Sequence, residues 1–299
     1  MTDTTHIVLG AGPTGSRTAQ LLADAGEHVL LASRRGGTPA HARIRHVAQD
    51  ATDAQGLTRL FDGAATVINC TMPPYDRWPE EFPPIADAVL RAVRGTGTRL
   101  LTLGNVYGYG QPAGNFTEDL PMRPVAVKGH VRARMWLDAL DSGATVAEVR
   151  ASDYFGKGAV SVFTLQVLPQ ILAGGAARYT GDVDLPHSWS YVGDVARTLA
   201  AVARREDTWG RAWHVPSHDL TLRELARAAA RLAGRPAPEL AGMDFDELLA
   251  FAASGSMQRE LLEMRYMFYE QRLIEARDTT RLLGIAPAPL EEALRDMLF

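Results

Sequence analysis

Short apolar runs alternate with amphipathic segments through the first half of the chain. The runs at residues 7–9 and 29–31 are continuously apolar, as parallel strands buried on both faces usually are. The pattern predicts strands at 6–10, 28–33, 44–47, 66–69, 99–103 and 145–150, separated by helices at 15–25, 53–61, 84–94 and 128–141. This repeated strand–helix order predicts an α/β fold, a Rossmann-type doubly wound parallel sheet.

The alternation fades in the second half, where helical patterns dominate. Helices are predicted at 160–172, interrupted at Pro169, at 192–204, at 225–232 and over most of the chain from residue 244, with one short strand at 213–215. Thr221 and Glu224 form a capping box that satisfies free amides before the helix at 225–232. We therefore expect a Rossmann domain at 1–155 and a small, mostly helical cap at 156–299 that interleaves with the sheet.

A glycine-rich loop joins the first strand to the first helix. Its sequence GAGPTG at residues 10–15 matches G-x-G-x-x-G in the strand–loop–helix context that this pattern requires. Gly10 permits the tight turn, Gly12 lets the backbone approach a pyrophosphate, and Gly15 lets the helix pack against the strand. The helix N-terminus adds free amides and a positive dipole end. The loop predicts a dinucleotide site contacted by Gly10, Gly12, Pro13, Thr14 and Gly15.

The end of the second strand indicates which dinucleotide binds. An NAD-specific enzyme usually carries Asp or Glu there, whereas this chain has Ser33, Arg34 and Arg35. Two guanidiniums suit a 2′-phosphate, which a carboxylate would repel. Asp50 and Ala51, after the third strand, are placed to contact the adenine. The predicted cofactor is NADP(H), and a plain surface charge is the alternative role for one of the two arginines.

Composition excludes several classes of function. The 299 residues carry 31 Lys and Arg against 35 Asp and Glu, a net charge of −4, so no nucleic-acid partner is expected. The single cysteine, Cys70, excludes an intrachain disulfide and a cysteine-rich metal site, and no metal is expected. Cys70 follows an apolar run and is predicted to be a buried, unreactive thiol at the cofactor edge. No segment suits a signal peptide or a membrane span, which predicts a cytoplasmic protein without a membrane partner.

Further motifs lie at the spacings of a known family. They are NVYG at 105–108, the acidic and proline-bearing loop at 118–124, Lys128 at a helix start, RASDYFG at 150–156, SYVGDVA at 190–196 and the region 278–284. Together they resemble the extended short-chain dehydrogenase/reductase family, especially its NAD-dependent epimerase/dehydratase-like branch, over nearly the whole chain. The resemblance implies that Lys128 is the catalytic lysine that holds the nicotinamide ribose. It also implies that Tyr154 and Phe155 lie in the turn that meets nicotinamide.

Two departures from the family pattern concern the chemistry. The family tyrosine sits four residues before its lysine, where this chain has Pro124, and the family serine or threonine position is occupied by Leu103. Thr102 is adjacent, but neighbours on a strand point to opposite faces of the sheet. The usual proton donor and its partner are therefore absent. Without the tyrosine, Lys128 would still contact the ribose and supply a positive charge. The alternative is a solvated surface lysine, which is less favoured here because a cation is unfavourable at a helix N-terminus.

The missing pair leaves the source of the proton open. Hydride transfer to a carbonyl needs a group that stabilises the developing alkoxide. Three sources are possible: a side chain such as Tyr107, Tyr109 or Asn105, a water held by Lys128 or Asn105, or a phenol of the substrate itself. An aromatic substrate would suit the apolar residues expected at the carboxyl ends of the strands, where ligands bind in such sheets. The predicted substrate contacts, each with core packing as the alternative, are Met72, Asn105, Tyr107, Tyr109, Trp189 and Met264.

Three functions follow from these observations. The leading hypothesis is an NADPH-dependent ketoreductase of a polycyclic aromatic substrate, because the combination resembles the atypical ketoreductases of aromatic polyketide biosynthesis, the angucyclinone ketoreductases above all. The alternatives are a non-catalytic NADP(H)-binding sensor or scaffold, and a sugar-nucleotide epimerase or dehydratase, which would need the missing tyrosine as a base. The helices at 84–94 and 128–141 show no decisive apolar outer face. A monomer or weak homodimer with a small-molecule aromatic substrate is therefore expected.

Overall fold

Parallel strands form the central sheet of the molecule. The computed structural model describes residues 5–37 and 41–299. The strands of the sheet are β1 (Thr5–Leu9), β2 (His28–Ser33), β3 (Ile44–Ala48), β4 (Thr66–Asn69), β5 (Arg99–Asn105), β6 (Val146–Ala151) and β10 (Ala212–His214). They pair in the order β10-β6-β5-β4-β1-β2-β3, and the direction of winding reverses between β1 and β4. The predicted doubly wound parallel sheet is confirmed, and its switch point lies where such sheets bind ligands.

Helices cover both faces of this sheet. They are α1 (Pro13–Asp24), α2 (Ala54–Phe61), α3 (Trp78–Thr96), α4 (Val127–Asp141) and α6 (Val192–Ala203). Helices α1 and α6 pack together over a buried cluster that includes Leu22 and Leu101, whereas α2, α3 and α4 cover one that includes Phe61 and Val93. The strands are thus buried on both sides, which explains their continuously apolar sequences.

The second half of the chain adds two small sheets and further helices. The strands β7 (Asp153–Phe155), β9 (Pro186–Tyr191) and β11 (His218–Thr221) pair in the order β11-β9-β7, and β8 (Ala177–Tyr179) pairs with β12 (Leu240–Gly242). The helices are α5 (Leu168–Ala173), α7 (Leu222–Leu232), α8 (Phe245–Ala253), α9 (Ser256–Glu263), α10 (Arg277–Leu283) and α11 (Leu290–Leu298). The predicted capping box of Thr221 and Glu224 is confirmed at the start of α7.

The prediction for this half misses its small strands. Strand β9 has the sequence PHSWSY and is buried from His187 onward. Its polar atoms find partners on neighbouring segments: Ser188 Oγ donates to Asp219, and Ser190 Oγ lies 2.8 Å from Ser217 Oγ. A buried strand whose polar groups are satisfied by distant residues has no apolar signature in its sequence.

Helix α3 begins at Trp78, whereas the sequence predicts a start at residue 84. Pro83 and Pro84, which favour a helix start, lie inside the helix instead. The extra first turn is held by burial, because the indole of Trp78 packs edge-on against Phe82, with ring centroids 5.1 Å apart. The two prolines each remove one amide donor from α3, but their fixed backbone φ suits a helix. The packing of Trp78 therefore outweighs the loss of these two hydrogen bonds.

The two predicted domains are joined by strand pairing and by an ion pair. β10, from the region 156–299, pairs with β6 at the edge of the central sheet. Arg17 of α1 donates to Asp296 of α11 at 2.7 Å. Within residues 5–37 and 41–299, no helix is long and apolar enough to cross a bilayer, and no group of three or more His, Cys, Asp or Glu is arranged to hold a metal ion.

Candidate active site at the carboxyl edge of the sheet

The glycine loop forms a cradle that side chains would fill. Gly10 has a φ of +107°, and a Cβ there would lie 2.6 Å from the Cys70 carbonyl oxygen. A Cβ at Gly15 would collide with the Gly10 carbonyl oxygen. Gly12 differs, because a Cβ at this position meets no atom within 4 Å. Gly12 is the N-cap of α1, so the loop presents an open backbone and first-turn amides that have no partner within the helix.

Cys70 supports this loop from the end of β4. Its amide donates to the Leu9 carbonyl at 2.8 Å, and its side chain is buried. Burial raises the pKa of the Cys70 thiol to about 12. The thiol is therefore buried and un-ionised, as the sequence predicts. The contact between Cys70 and a cofactor stays a prediction.

Two exposed arginines follow β2 on the other side of the loop. The side chains of Arg34 and Arg35 are exposed, and among the described residues neither donates a hydrogen bond or forms an ion pair. Ser33 Oγ donates to the Gly36 carbonyl at 3.2 Å. Asp50 accepts from the amide and hydroxyl of Thr52, which lowers the pKa of its carboxyl. This edge carries two guanidiniums that are available to an anion.

Lys128 is completely buried at the start of α4. Its Nζ forms ion pairs with Glu260 and Glu263 of α9, the latter at 3.0 Å, and lies 4.6 Å from the ring centroid of Tyr75. The Lys128 amide donates to Glu263 Oε1 at 3.3 Å. Burial lowers the pKa of the Lys128 ammonium, and the neighbouring Glu263 opposes this shift. The two carboxylates therefore offset the cost of a cation in the interior and at a helix N-terminus.

Tyr75 lies beside Lys128 and is hydrogen-bonded to Tyr107, and the pKa values of both hydroxyls are raised. Tyr75 Oη donates to Tyr107 Oη at 3.3 Å. Burial raises the pKa of Tyr107 far above its usual range, and the charge of Asp153 raises it further. Burial also raises the pKa values of Tyr75 and Tyr154. These shifts are opposite in direction to the lowering of the pKa that the lysine gives the family's tyrosine.

The structure places no proton-donating side chain at Leu103 or Pro124, the two positions that depart from the family pattern. Leu103 is buried on the face covered by α1 and α6, and its carbonyl accepts from Arg132 at 3.3 Å. Thr102 lines the opposite, α3–α4 face beside Trp136, which confirms that it cannot stand in for Leu103. Pro124 precedes α4 and has no titratable atom.

The predicted substrate contacts are spread over different environments. Met72 is 52% exposed, whereas Tyr109, Trp189 and Met264 lie in the core of the second half. The Tyr109 hydroxyl accepts from Arg150 at 2.6 Å and lies 2.7 Å from His214 Nε2, and burial raises its pKa to about 12. Asn105 accepts from the Tyr107 amide at 3.2 Å. The structure brings only Tyr107 into contact with the group around Lys128, and Phe155 is buried nearby against Tyr191.

A cleft that the sequence did not predict opens beside this group. Its volume is about 550 Å³. Glu263 lines it and joins it to Lys128. Three aromatic rings and an excess of carboxylates over cations face the cleft, whose lining is Gln111, Val125, Met243, Asp244, Phe245, Leu248, Glu263, Arg265, Tyr266, Tyr269 and Glu270. No short motif could have indicated it, because its walls come from residues far apart in the chain.

Together, the glycine cradle at the switch point and the lysine beyond β5 define a dinucleotide-binding protein of the Rossmann type. The family model described as "NAD dependent epimerase/dehydratase family" matches residues 6–215. The chain belongs to this family. No curated protein matched the sequence.

Solved structures share the fold across the whole chain. MoeE5 in complex with UDP-glucose and NAD has a TM-score of 0.76 at 20% identity, covering 98% of this chain and 97% of that one. The Bordetella bronchiseptica enzyme WbmH in complex with NAD⁺ gives 0.76 at 17% identity, with 99% and 97% covered. UDP-glucuronic acid 4-epimerase from Bacillus cereus in complex with NAD gives 0.76 at 16% identity, with 98% and 97% covered.

These findings bear on the sequence-based hypotheses in two ways. The family and a nicotinamide dinucleotide as cofactor class are supported, while the choice of NADP(H) is not, since the similar structures contain NAD. The family description names epimerases and dehydratases, and one of the three structures is a UDP-glucuronic acid 4-epimerase, so the comparisons agree with the epimerase/dehydratase alternative better than with a polyketide ketoreductase. A special likeness to angucyclinone ketoreductases has no support from these comparisons.

Proposed function

We propose that the protein is a nicotinamide-dinucleotide-dependent oxidoreductase that reduces the carbonyl of a small aromatic ketone without the family's tyrosine. The observation behind this is the buried Lys128, which keeps the family position while burial raises the pKa values of Tyr75 and Tyr107 beside it instead of lowering them. Reduction of a polycyclic aromatic ketone of the angucyclinone type is the form of this activity to test first. The proton then comes from a group other than that tyrosine.

The residues at the glycine loop fit a dinucleotide. Gly10 and Gly15 leave no room for side chains, whereas Gly12 is open on the side that a pyrophosphate would occupy. When bound, the reduced dinucleotide supplies the hydride. Lys128 would hold the nicotinamide ribose, and Tyr154 and Phe155 would border the nicotinamide. Arg34 and Arg35 would hold a 2′-phosphate, which makes NADP(H) the proposed form.

The lining of the cleft offers little to a sugar nucleotide. Arg265 is the one cation that lines it, whereas the carboxylates of Glu263 and Glu270 are paired with Lys128 and Arg272. A diphosphate carries negative charge and is bound by cations or amides, and this lining supplies a single cation. The aromatic rings of the cleft suit an uncharged aromatic molecule instead.

A sugar-nucleotide epimerase or dehydratase is the second candidate, and the epimerases among the similar structures favour it. Such a reaction begins by removing a proton from a sugar hydroxyl. The site has no tyrosine at residue 124 to do so, and the carboxylates nearest Lys128 are Glu260 and Glu263. This candidate would therefore require one of these two glutamates to act as the base.

The decisive assay follows NADPH absorbance with a panel of polycyclic aromatic ketones, in matched pairs that carry a free phenol or its methyl ether beside the carbonyl. NADPH oxidation with panel members is the expected result. Turnover of UDP-sugars with NAD⁺, and of no ketone, would replace the proposal by the epimerase. Dinucleotide binding without turnover of either substrate class would favour the remaining hypothesis, a non-catalytic sensor or scaffold.

The preference for NADP(H) is tested by replacing both arginines. Arg34→Ala with Arg35→Ala is expected to weaken NADPH binding by roughly 10–100-fold, because a charge-assisted hydrogen bond contributes about 1.5–3 kcal/mol. NADH binding should not change. Calorimetric titration measures both, with Arg45→Ala, an exposed arginine on the neighbouring β3, as the control. Wild-type protein that binds NADH as tightly as NADPH would contradict this assignment.

A further inference from the structure

A histidine–aspartate pair lies beside the predicted site and has no role in the family pattern. His187 Nε2 and Asp153 Oδ2 are 2.7 Å apart, and His187 is buried. Neither residue emerged from the sequence as a candidate. Asp153 lies within the RASDYFG segment, whereas His187 belongs to the small strand β9 that the sequence did not predict.

Strand register brings Asp153 close to Tyr107. Asn105 at the end of β5 is paired with Ala151 at the end of β6. Tyr107 and Asp153 each follow two residues later, so they leave the same edge of the sheet on neighbouring strands. The charge of Asp153 accordingly affects the hydroxyls of Tyr107 and Tyr75, which are hydrogen-bonded to each other.

One polar atom of Asp153 and one of His187 make no hydrogen bond to the described residues. Asp153 Oδ2 contacts His187, and the other carboxylate oxygen makes no hydrogen bond to the described residues. His187 Nδ1 likewise has none, and the rings packed against His187 are Trp189 and Phe268. Asp219 on β11 also interacts electrostatically with His187. The pair therefore links a carboxylate near Tyr107 to a histidine nitrogen that has no hydrogen-bond partner among the described residues.

We infer that Asp153 and His187 form the acid that protonates the substrate oxygen, directly or through one water. This inference rests on the proposed reductase function and names its proton source. As the carbonyl carbon is reduced and the dinucleotide oxidised, the Asp153 carboxyl gives a proton from its free oxygen, Oδ1, to the oxygen that becomes the alcohol. The resulting Asp153 carboxylate regains a proton through His187: Nε2 gives its proton to Oδ2 while Nδ1 takes up one from solvent.

The test compares Asp153→Asn and His187→Gln with wild type on the panel of phenol and methyl-ether ketones. Both variants are expected to lose roughly 100-fold or more in kcat, with NADPH affinity unchanged, because general acid catalysis contributes about 10²–10⁴-fold. Imidazole added to His187→Ala should restore part of the rate, which a purely structural role would not permit. His6→Gln is the matched control, since His6 is a buried histidine 3.9 Å from a carboxylate, Glu27, at the opposite edge of the sheet.

The outcomes separate this inference from the proposed function. Reduction of free-phenol ketones alone, at equal rates in wild type and both variants, would keep the reductase and overturn the role of the pair. A second measurement does not depend on turnover: the ¹⁵N resonances of the His187 imidazole, recorded with and without NADP⁺. A shift that Asp153→Asn abolishes supports the pair at the cofactor even if no ketone is reduced, and unchanged resonances overturn it.

Discussion

Gly12→Ala is expected to weaken dinucleotide binding by roughly 10–100-fold while leaving the protein as stable as wild type. The reason is that a Cβ at Gly12 meets no atom of the protein within 4 Å, so that only a ligand on the loop would be displaced. Overpacking of this kind costs about 1–3 kcal/mol, which corresponds to roughly a 10–100-fold rise in Kd. Thermal unfolding with and without NADPH measures stability and binding in one experiment, and a given rise in the midpoint should require roughly 10–100 times more NADPH than in wild type.

The controls for this prediction lie within the same chain. Gly114→Ala also places a Cβ in open space, but away from the loop, and should bind NADPH as wild type does. Gly15→Ala should instead lower the midpoint without ligand, because its Cβ collides with the Gly10 carbonyl oxygen. If Gly12→Ala retained full NADPH affinity, the pyrophosphate would have to bind elsewhere.

Replacing both carboxylates around Lys128 should cause a large loss of stability. Glu260→Gln with Glu263→Gln removes both ion-pair partners of an ammonium that is 0% exposed, so that only the more distant charges of Asp76 and Glu80 act on it. Breaking a buried ion pair from one side typically costs about 3–5 kcal/mol. The amide of Lys128 also loses its charged acceptor at the start of α4. Urea unfolding monitored by circular dichroism gives the free energy of unfolding directly.

A compensating variant shows whether charge is the cause. Adding Lys128→Met to the double replacement removes the unpaired cation and should recover most of the lost stability, since a buried ion pair replaced by apolar groups is often near neutral. Glu292→Gln, an exposed carboxylate on α11, should change the free energy of unfolding by less than about 0.5 kcal/mol. A triple variant as unstable as the double one would mean that packing of α9, and not charge, holds the site together.

Features encoded over short stretches could be predicted from the sequence. The glycine loop needs only its own strand, turn and helix, and the arginines after β2 follow from their distance to that loop. The absence of the family's hydroxyls at Leu103 and Pro124 could likewise be seen from the motifs around them. Each of these depends on spacing along the chain, which a single sequence contains.

Features that join distant segments could not be predicted. Lys128 was identified, but Glu260 and Glu263 carry no local sign that they pair with it, because ordinary surface helices also have acidic residues at this spacing. His187 meets Asp153 only because β9 pairs with β7, and β9 has too many polar residues to be recognised as a strand. Long-range pairing therefore limited the prediction of the site more than that of the fold.

The ion pairs of Lys128 join segments that leave the ribosome at very different times. Until residues 260–263 have been translated, the ammonium lacks its two ion-pair partners and the start of α4 lacks the acceptor that Glu263 provides. Chains usually fold from the N-terminal side as they are synthesised. In this protein the first half cannot enclose Lys128 on its own, so completion of its interior waits for the last part of the chain.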